Sequence, residues 1–146
     1  MNKAQQKQTR LDHANALIQI ISQHGRKFFR TSRYNVTGSA DKDRVAQLIL
    51  RNGRVYLIDE CSGKAVYTHK TGFGNEWRGF THGGTLRSLV EDMRDYITKG
   101  IPVPRWKIVI QQLGYDTLEK NIWGYDVASA AAVREAAYQL PIVAKE

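Results

Sequence analysis

The chain has little cysteine, little proline and no long apolar run, and each scarcity removes a class of protein. One cysteine in 146 residues, Cys61, excludes an internal disulfide framework and a cysteine-based zinc cluster, and it fits a reducing compartment. No apolar stretch approaches the roughly 18 residues that a membrane helix needs. Met1 to Arg10 is polar and has no apolar segment of the signal-peptide kind. The expectation is a cytoplasmic protein with no membrane partner. The three prolines stand at Pro102, Pro104 and Pro141, with no linker that would split the chain and no internal repeat. The histidines His13, His24, His69 and His82 show no metal-ligand spacing, so neither metal nor cofactor is implied.

Acidic residues are scarce in one place only. Residues 1–54 hold eleven Lys or Arg against three Asp, whereas residues 55–146 hold eleven basic and eleven acidic residues. The whole net charge of +8 therefore sits in the first third of the chain. Such asymmetry suits a polyanion or an acidic protein surface, and a merely solubilising surface would show the same numbers.

What is present reads as an ordinary globular protein, long enough to bury a core without disulfides or metal. The first eight residues lack apolar periodicity, and residues 1–10 are expected to be a flexible start, with residues 11–146 forming a single α+β domain. Thr9 is a candidate cap for a first helix carrying Leu11, Ala14, Leu17, Ile18 and Ile21 at helical spacing, with Gly25 as its stop. Arg26 to Tyr34 is aromatic and basic by turns and favours an extended segment; Asn35 to Arg44 reads as a loop. Val45 to Arg51 and Arg54 to Glu60 are strands joined by Asn52-Gly53, a strong hairpin signal. A two-residue type I′ turn sets Arg51 opposite Arg54, Leu50 opposite Val55 and Leu48 opposite Leu57. Ala65 to His69 adds a third strand.

Thr85 is expected to cap the next helix, whose apolar stripe is Leu86, Leu89, Val90, Met93, Tyr96 and Ile97, with Arg87–Glu91 and Asp95–Lys99 pairs outside. Gly100, Pro102 and Pro104 end it. Residues 105–113 suit a short helix or a strand. Asp126 is placed to cap a last helix through Ala130, Ala131, Val133, Arg134, Ala137 and Leu140, closed by Pro141. The fold class is α+β: a small antiparallel meander of three to four strands packed with three to four helices.

The most distinctive stretch is Trp77-Arg78-Gly79-Phe80-Thr81-His82-Gly83-Gly84-Thr85-Leu86-Arg87. A glycine turn entering a helix can aim backbone N–H groups and the positive end of the helix dipole at one anion. Arg78, His82, Gly83, Gly84, Thr85 and Arg87 are the anion-binding candidates. It is neither the phosphate loop with its lysine nor the dinucleotide fingerprint, and a plain sheet-to-helix turn over Trp77 and Phe80 would read the same. For a nucleic acid or protein partner the candidates are Arg26, Lys27, Arg30, Arg33, Arg51 and Arg54. Phe28 and Phe29 could stack bases, but adjacent residues of an extended segment face opposite ways, so burial of one in the core is the competing reading. His69 and His82, with Asp59 and Glu60, could converge as an acid–base set at one end of the sheet. Cys61 reads either as a reactive thiol or as a neutral turn residue. Trp123-Gly124-Tyr125 reads as a staple under the last helix.

Several blocks carry a resemblance: His24-Gly25-Arg26-Lys27-Phe28-Phe29, Tyr67-Thr68-His69, Trp77 to Arg87, Arg94-Asp95-Tyr96-Ile97 and Trp123-Gly124-Tyr125. They resemble those of small uncharacterised proteins of phages and other mobile elements of proteobacteria. The resemblance implies no activity, cofactor or catalytic residue, only a setting in which small proteins bind nucleic acid or block host defence. Three functions follow as expectations. The first is a non-enzymatic module that binds nucleic acid through the basic first third. The second is an inhibitor of a host defence complex, of anti-CRISPR or anti-restriction type. The third is an enzyme acting on a phosphorylated substrate at the His82–Arg87 turn.

Overall fold

Alternating apolar residues on either side of Asn52-Gly53 build the centre of the structure. In the computed structural model, which describes residues 2–24, 28–31, 44–69, 77–108 and 127–145, β1 (Gln47–Arg51), β2 (Arg54–Ile58) and β3 (Ala65–Tyr67) form an antiparallel sheet in the order β1-β2-β3. The register is the expected one, with Leu48 opposite Leu57, Leu50 opposite Val55 and Arg51 opposite Arg54. Asn52 and Gly53 both take positive φ, 51° and 76°, as a type I′ turn requires. Ala46, Leu48, Val55, Leu57 and Val66 are buried on one face. The other face carries Arg51, Arg54, Tyr56 and Tyr67.

Helix α1 (Lys3–His24) packs on β1 and buries the expected stripe of Leu11, Ala14, Leu17, Ile18 and Ile21. It begins at Lys3 rather than after Thr9, so the first ten residues, expected to be a flexible start, are helical almost throughout. The reason is local. The Asn2 side chain accepts the Gln5 N–H at 2.8 Å while the Gln5 side chain accepts the Asn2 N–H at 3.0 Å, a reciprocal capping box. The expected stop at Gly25 lies outside the described residues.

Helix α2 (Gly84–Lys99) buries its whole expected stripe and ends at Gly100, in the left-handed region with φ 76°. Its N-cap is Gly83, not Thr85, because the Gly83 carbonyl already accepts the Arg87 N–H at 3.1 Å. Thr85 is the second helical residue and stands exposed. The Arg87–Glu91 pair forms, at 3.5 Å. Asp95 pairs with Arg94 at 3.1 Å instead of with Lys99. Arg94 is buried at the helix face, where its Nη1 also donates to the Thr68 carbonyl and ties α2 to the end of β3.

A short 3-10 turn spans Arg105–Lys107, and Lys107 reaches back to Asp92 of α2 at 2.5 Å. Residues 109–126, with the rest of the helix-or-strand segment, Trp123 to Tyr125 and the Asp126 cap, lie outside the described residues. Helix α3 (Val127–Ala137) packs against α1; it stops at Ala137, and Leu140 belongs to the turn before Pro141. Beyond it, Val143 bridges in parallel to Val103, with the Val103 N–H donating to Ile142 and the Ala144 N–H to Val103, each at 2.8 Å. Among the described residues the architecture is α+β, with α1 and α2 on a three-stranded meander and α3 packed on α1.

Candidate functional site

The glycine turn is held against the β2–β3 connection by one carboxylate. Asp59 is buried and accepts the N–H groups of Cys61, Ser62 and Thr81 at 2.9, 3.0 and 2.8 Å, with the Thr81 hydroxyl as a further donor. Ser62 adds a bond from its hydroxyl to the Gly79 carbonyl at 2.6 Å. Gly79 is a position that only glycine suits. Its φ is 87°, and a Cβ there would lie 2.8 Å from the Cβ of Lys64.

The same docking brings His82 to Glu60. The His82 Nε2 bonds Oε1 of Glu60 closely and lies 3.2 Å from Oε2. The Glu60 side chain is 1% exposed and that of His82 11%. Phe29 and Phe80 meet the imidazole edge-on, with ring centres 5.8 and 5.5 Å away. Phe29 is fully buried at a left-handed φ of 65°, unusual for a bulky residue. Phe28 is half-buried against the core, so the reading with one Phe of the pair buried in the core is the one observed.

His82 opens onto a cleft of about 360 Å³, lined by Trp77, Phe80, His82, Gly83, Gly84 and Arg87. The Arg87 guanidinium lies over the Trp77 ring at 4.8 Å. No side chain caps the first N–H groups of α2. Neither Gly83, with φ −83°, nor Gly84 is held to glycine by conformation or by neighbours, since a Cβ at either would meet nothing within 4 Å. Bare backbone is what those two glycines supply. Of the six anion-site candidates, His82, Gly83, Gly84 and Arg87 line the cleft, whereas Arg78 and Thr85 are exposed and are not among its lining residues.

Three of the four residues of the expected acid–base set converge. The ligand atoms of Asp59, Glu60 and His82 lie within 4.8 Å of one another. His69 sits at the opposite end of β2, where its Nε2 accepts the Val55 N–H at 3.0 Å. Burial lowers the His69 pKa, and Arg94, Arg54 and Lys7 lower it further against Asp95. Cys61 is exposed in the turn; partial burial of its sulfur, with Glu60 and Asp59, pushes the thiol up in spite of Thr81 and Arg44. That is the reverse of what a nucleophile needs.

The basic candidates divide between the two ends of the sheet. Arg30 is half-buried and belongs to the residue pair Arg30–Val45 near the glycine turn. Arg51 and Arg54 are exposed at the hairpin tip. Arg26, Lys27 and Arg33 lie outside the described residues. Arg54 and Asp59 are five residues apart along β2, roughly 17 Å, so the tip arginines and the glycine turn do not meet.

The tip has a composition of its own. Tyr56 and Tyr67 pair across β2 and β3 with ring centres 5.3 Å apart. Arg51 lies over Tyr56 at 5.5 Å and Arg54 over Tyr67 at 6.0 Å, with an Arg54 nitrogen donating to the Tyr67 hydroxyl at 2.5 Å. Lys7 of α1 reaches the Gly53 carbonyl at 3.4 Å and also lines a shallow cleft with Lys3, Gln6, Arg10, Thr98 and Lys99. Lys3, Lys7, Arg10 and Lys99 were not among the sequence candidates; for the first three the reason is that the chain start reads as unstructured unless Asn2-x-x-Gln5 is recognised as a cap.

The YoqU family profile matches residues 2–145. The chain belongs to the YoqU family. It is 27% identical over 135 residues to the "SPbeta prophage-derived uncharacterized protein YoqU" of Bacillus subtilis (strain 168), covering 92% of this chain and 82% of that protein. No solved structure matches the chain. A prophage-derived relative fits the mobile-element setting; it comes from Bacillus and not from the proteobacteria of the resemblance. No helix among the described residues is long and apolar enough to cross a membrane.

Proposed function

We propose that this chain is a non-enzymatic accessory protein of mobile-element type that binds single-stranded nucleic acid on the outer face of its sheet. The observation that carries the reading is the Tyr56–Tyr67 pair with Arg51 and Arg54 laid over its rings. Bases stack on aromatic rings regardless of sequence, and flanking arginines hold the phosphates. Lys7 joins the hairpin turn at Gly53 to the basic cleft of Lys3, Arg10 and Lys99, which puts further cations near the tip for the backbone. The test is fluorescence anisotropy of a labelled oligonucleotide across a salt series. Binding that falls steeply with salt and is weakened in Tyr56→Ala and Tyr67→Ala supports the reading. No binding at low salt, or binding indifferent to those variants, ends it.

A second reading, a host protein complex as the target, is favoured by Trp106, which is 63% exposed, with Ile101 earlier in the same segment at 53%. Large exposed apolar side chains in one loop are the usual anchors of a protein interface. A nuclease-treated pull-down that keeps a partner with the native chain and loses it with Trp106→Ala supports this alternative. Recovery of only nucleic-acid-bridged proteins refutes it.

A further inference from the structure

We propose that Asp59, Glu60 and His82 form a binding site for a divalent transition-metal ion on the inner wall of the glycine-turn cleft. The donors come from two segments 22 residues apart, and their ligand atoms lie within 4.8 Å of one another. Ligands around one tetrahedral ion at about 2.1 Å stand about 3.4 Å apart, so binding draws the widest pair together by about 1.4 Å and opens the close His82–Glu60 contact. One imidazole nitrogen with two carboxylate oxygens suits Zn²⁺ or Mn²⁺ over Ca²⁺, which prefers oxygen alone.

Charge points the same way. Asp59 and Glu60 are 1% and 3% exposed, and no Lys or Arg makes an ion pair with either among the described residues. Hydrogen bonds from Cys61, Ser62 and Thr81 hold Asp59 and His82 holds Glu60, but two carboxylates share this buried place with one imidazole, and burying such charge is costly. A dication supplies what is missing. The outer layer of the site is already built, because the N–H groups and hydroxyl around Asp59 fix the direction of its carboxylate. His82 is shared between the metal donors and the cleft wall, so the site adjoins the cavity beside Gly83 and Gly84. An ion at this position takes up His82 Nε2 in place of its contact with Glu60.

The experiment is calorimetric titration of chelator-treated protein with ZnCl₂, free of nucleic acid, so that it stands apart from the stacking proposal. Expected are one Zn²⁺ per chain, weakening of at least about tenfold in both Glu60→Gln and His82→Gln, and unchanged binding in Cys61→Ser. Circular dichroism of the metal-free variants checks their fold. A measurement on the unaltered chain stands beside it: Co²⁺ is expected to give weak visible bands of a nitrogen–oxygen site without intense thiolate charge transfer. Absence of saturable Zn²⁺ binding, full affinity in folded Glu60→Gln and His82→Gln, or loss in Cys61→Ser with a thiolate band from Co²⁺ overturns the proposal.

Discussion

Asn15 of α1 and Leu48 of β1 are joined by two hydrogen bonds that work as a strand pair would. The Asn15 amide donates to the Leu48 carbonyl at 2.9 Å and its oxygen accepts the Leu48 N–H at 2.7 Å. Leu48 faces away from β2 with these groups, so one side chain of the helix closes the open edge of the sheet at that point. Replacing Asn15 with Ala leaves a donor and an acceptor unpaired in a part-buried position. The expected cost is about 1–3 kcal/mol, read as a lower midpoint in urea denaturation with the slope unchanged.

The glycines of the turn are expected to separate by role. Gly79→Ala forces a left-handed residue against Lys64 and should cost about 1–3 kcal/mol. Gly84→Ala, at the first turn of α2 with open space around it, should stay within about 0.5 kcal/mol of the native chain. Thermal unfolding of the two variants side by side checks this; equal losses would mean that both glycines serve the turn alone.

Stability should fall on mild acidification because of His69. Its pKa is lowered in the folded chain, so the unfolded chain takes up the proton first. The contribution is fully present above the ordinary value of about 6.5 and is lost as pH falls below it towards the folded value. Protonation also removes the lone pair that accepts the Val55 N–H. Urea midpoints measured from neutral pH downward should decline from about pH 6.5, and this part of the decline should be absent in His69→Gln.

On nucleic acid, the arginines and tyrosines of the hairpin should be distinguishable. Arg51→Ala and Arg54→Ala should each reduce the salt slope by about one phosphate contact. Tyr56→Ala or Tyr67→Ala should weaken binding by about 1–3 kcal/mol with the slope nearly intact. Anisotropy titrations at several salt concentrations separate the two effects.

Much of the fold was legible because its signals are short-range. Asn52-Gly53 demands positive φ twice, which sets the hairpin register, and a period-2 pattern then decides which residues face the core. The α2 stripe follows in the same way from a period of 3.6. The start of α1 was legible too, but in its capping chemistry and not in its apolar pattern, since the first turns of the helix are polar on every side. The Thr85 cap failed because a residue with good capping chemistry sat two places past the point where the backbone turns helical.

The site was legible only as a stock of residue types. Asp59, Glu60, His69 and His82 were all visible as candidates, yet three meet and His69 lies at the other end of β2. That separation follows from docking: the Asp59 carboxylate captures the Thr81 backbone and draws His82 onto Glu60, while His69 stays beside Val55 at the end of β3. Local backbone preferences determine strands, turns and helical stripes from neighbouring residues alone. Which loop lies against which sheet end depends on buried contacts across tens of residues, and so the convergence of Asp59, Glu60 and His82, and the separation of the tip arginines from the glycine turn, were decided by the tertiary structure.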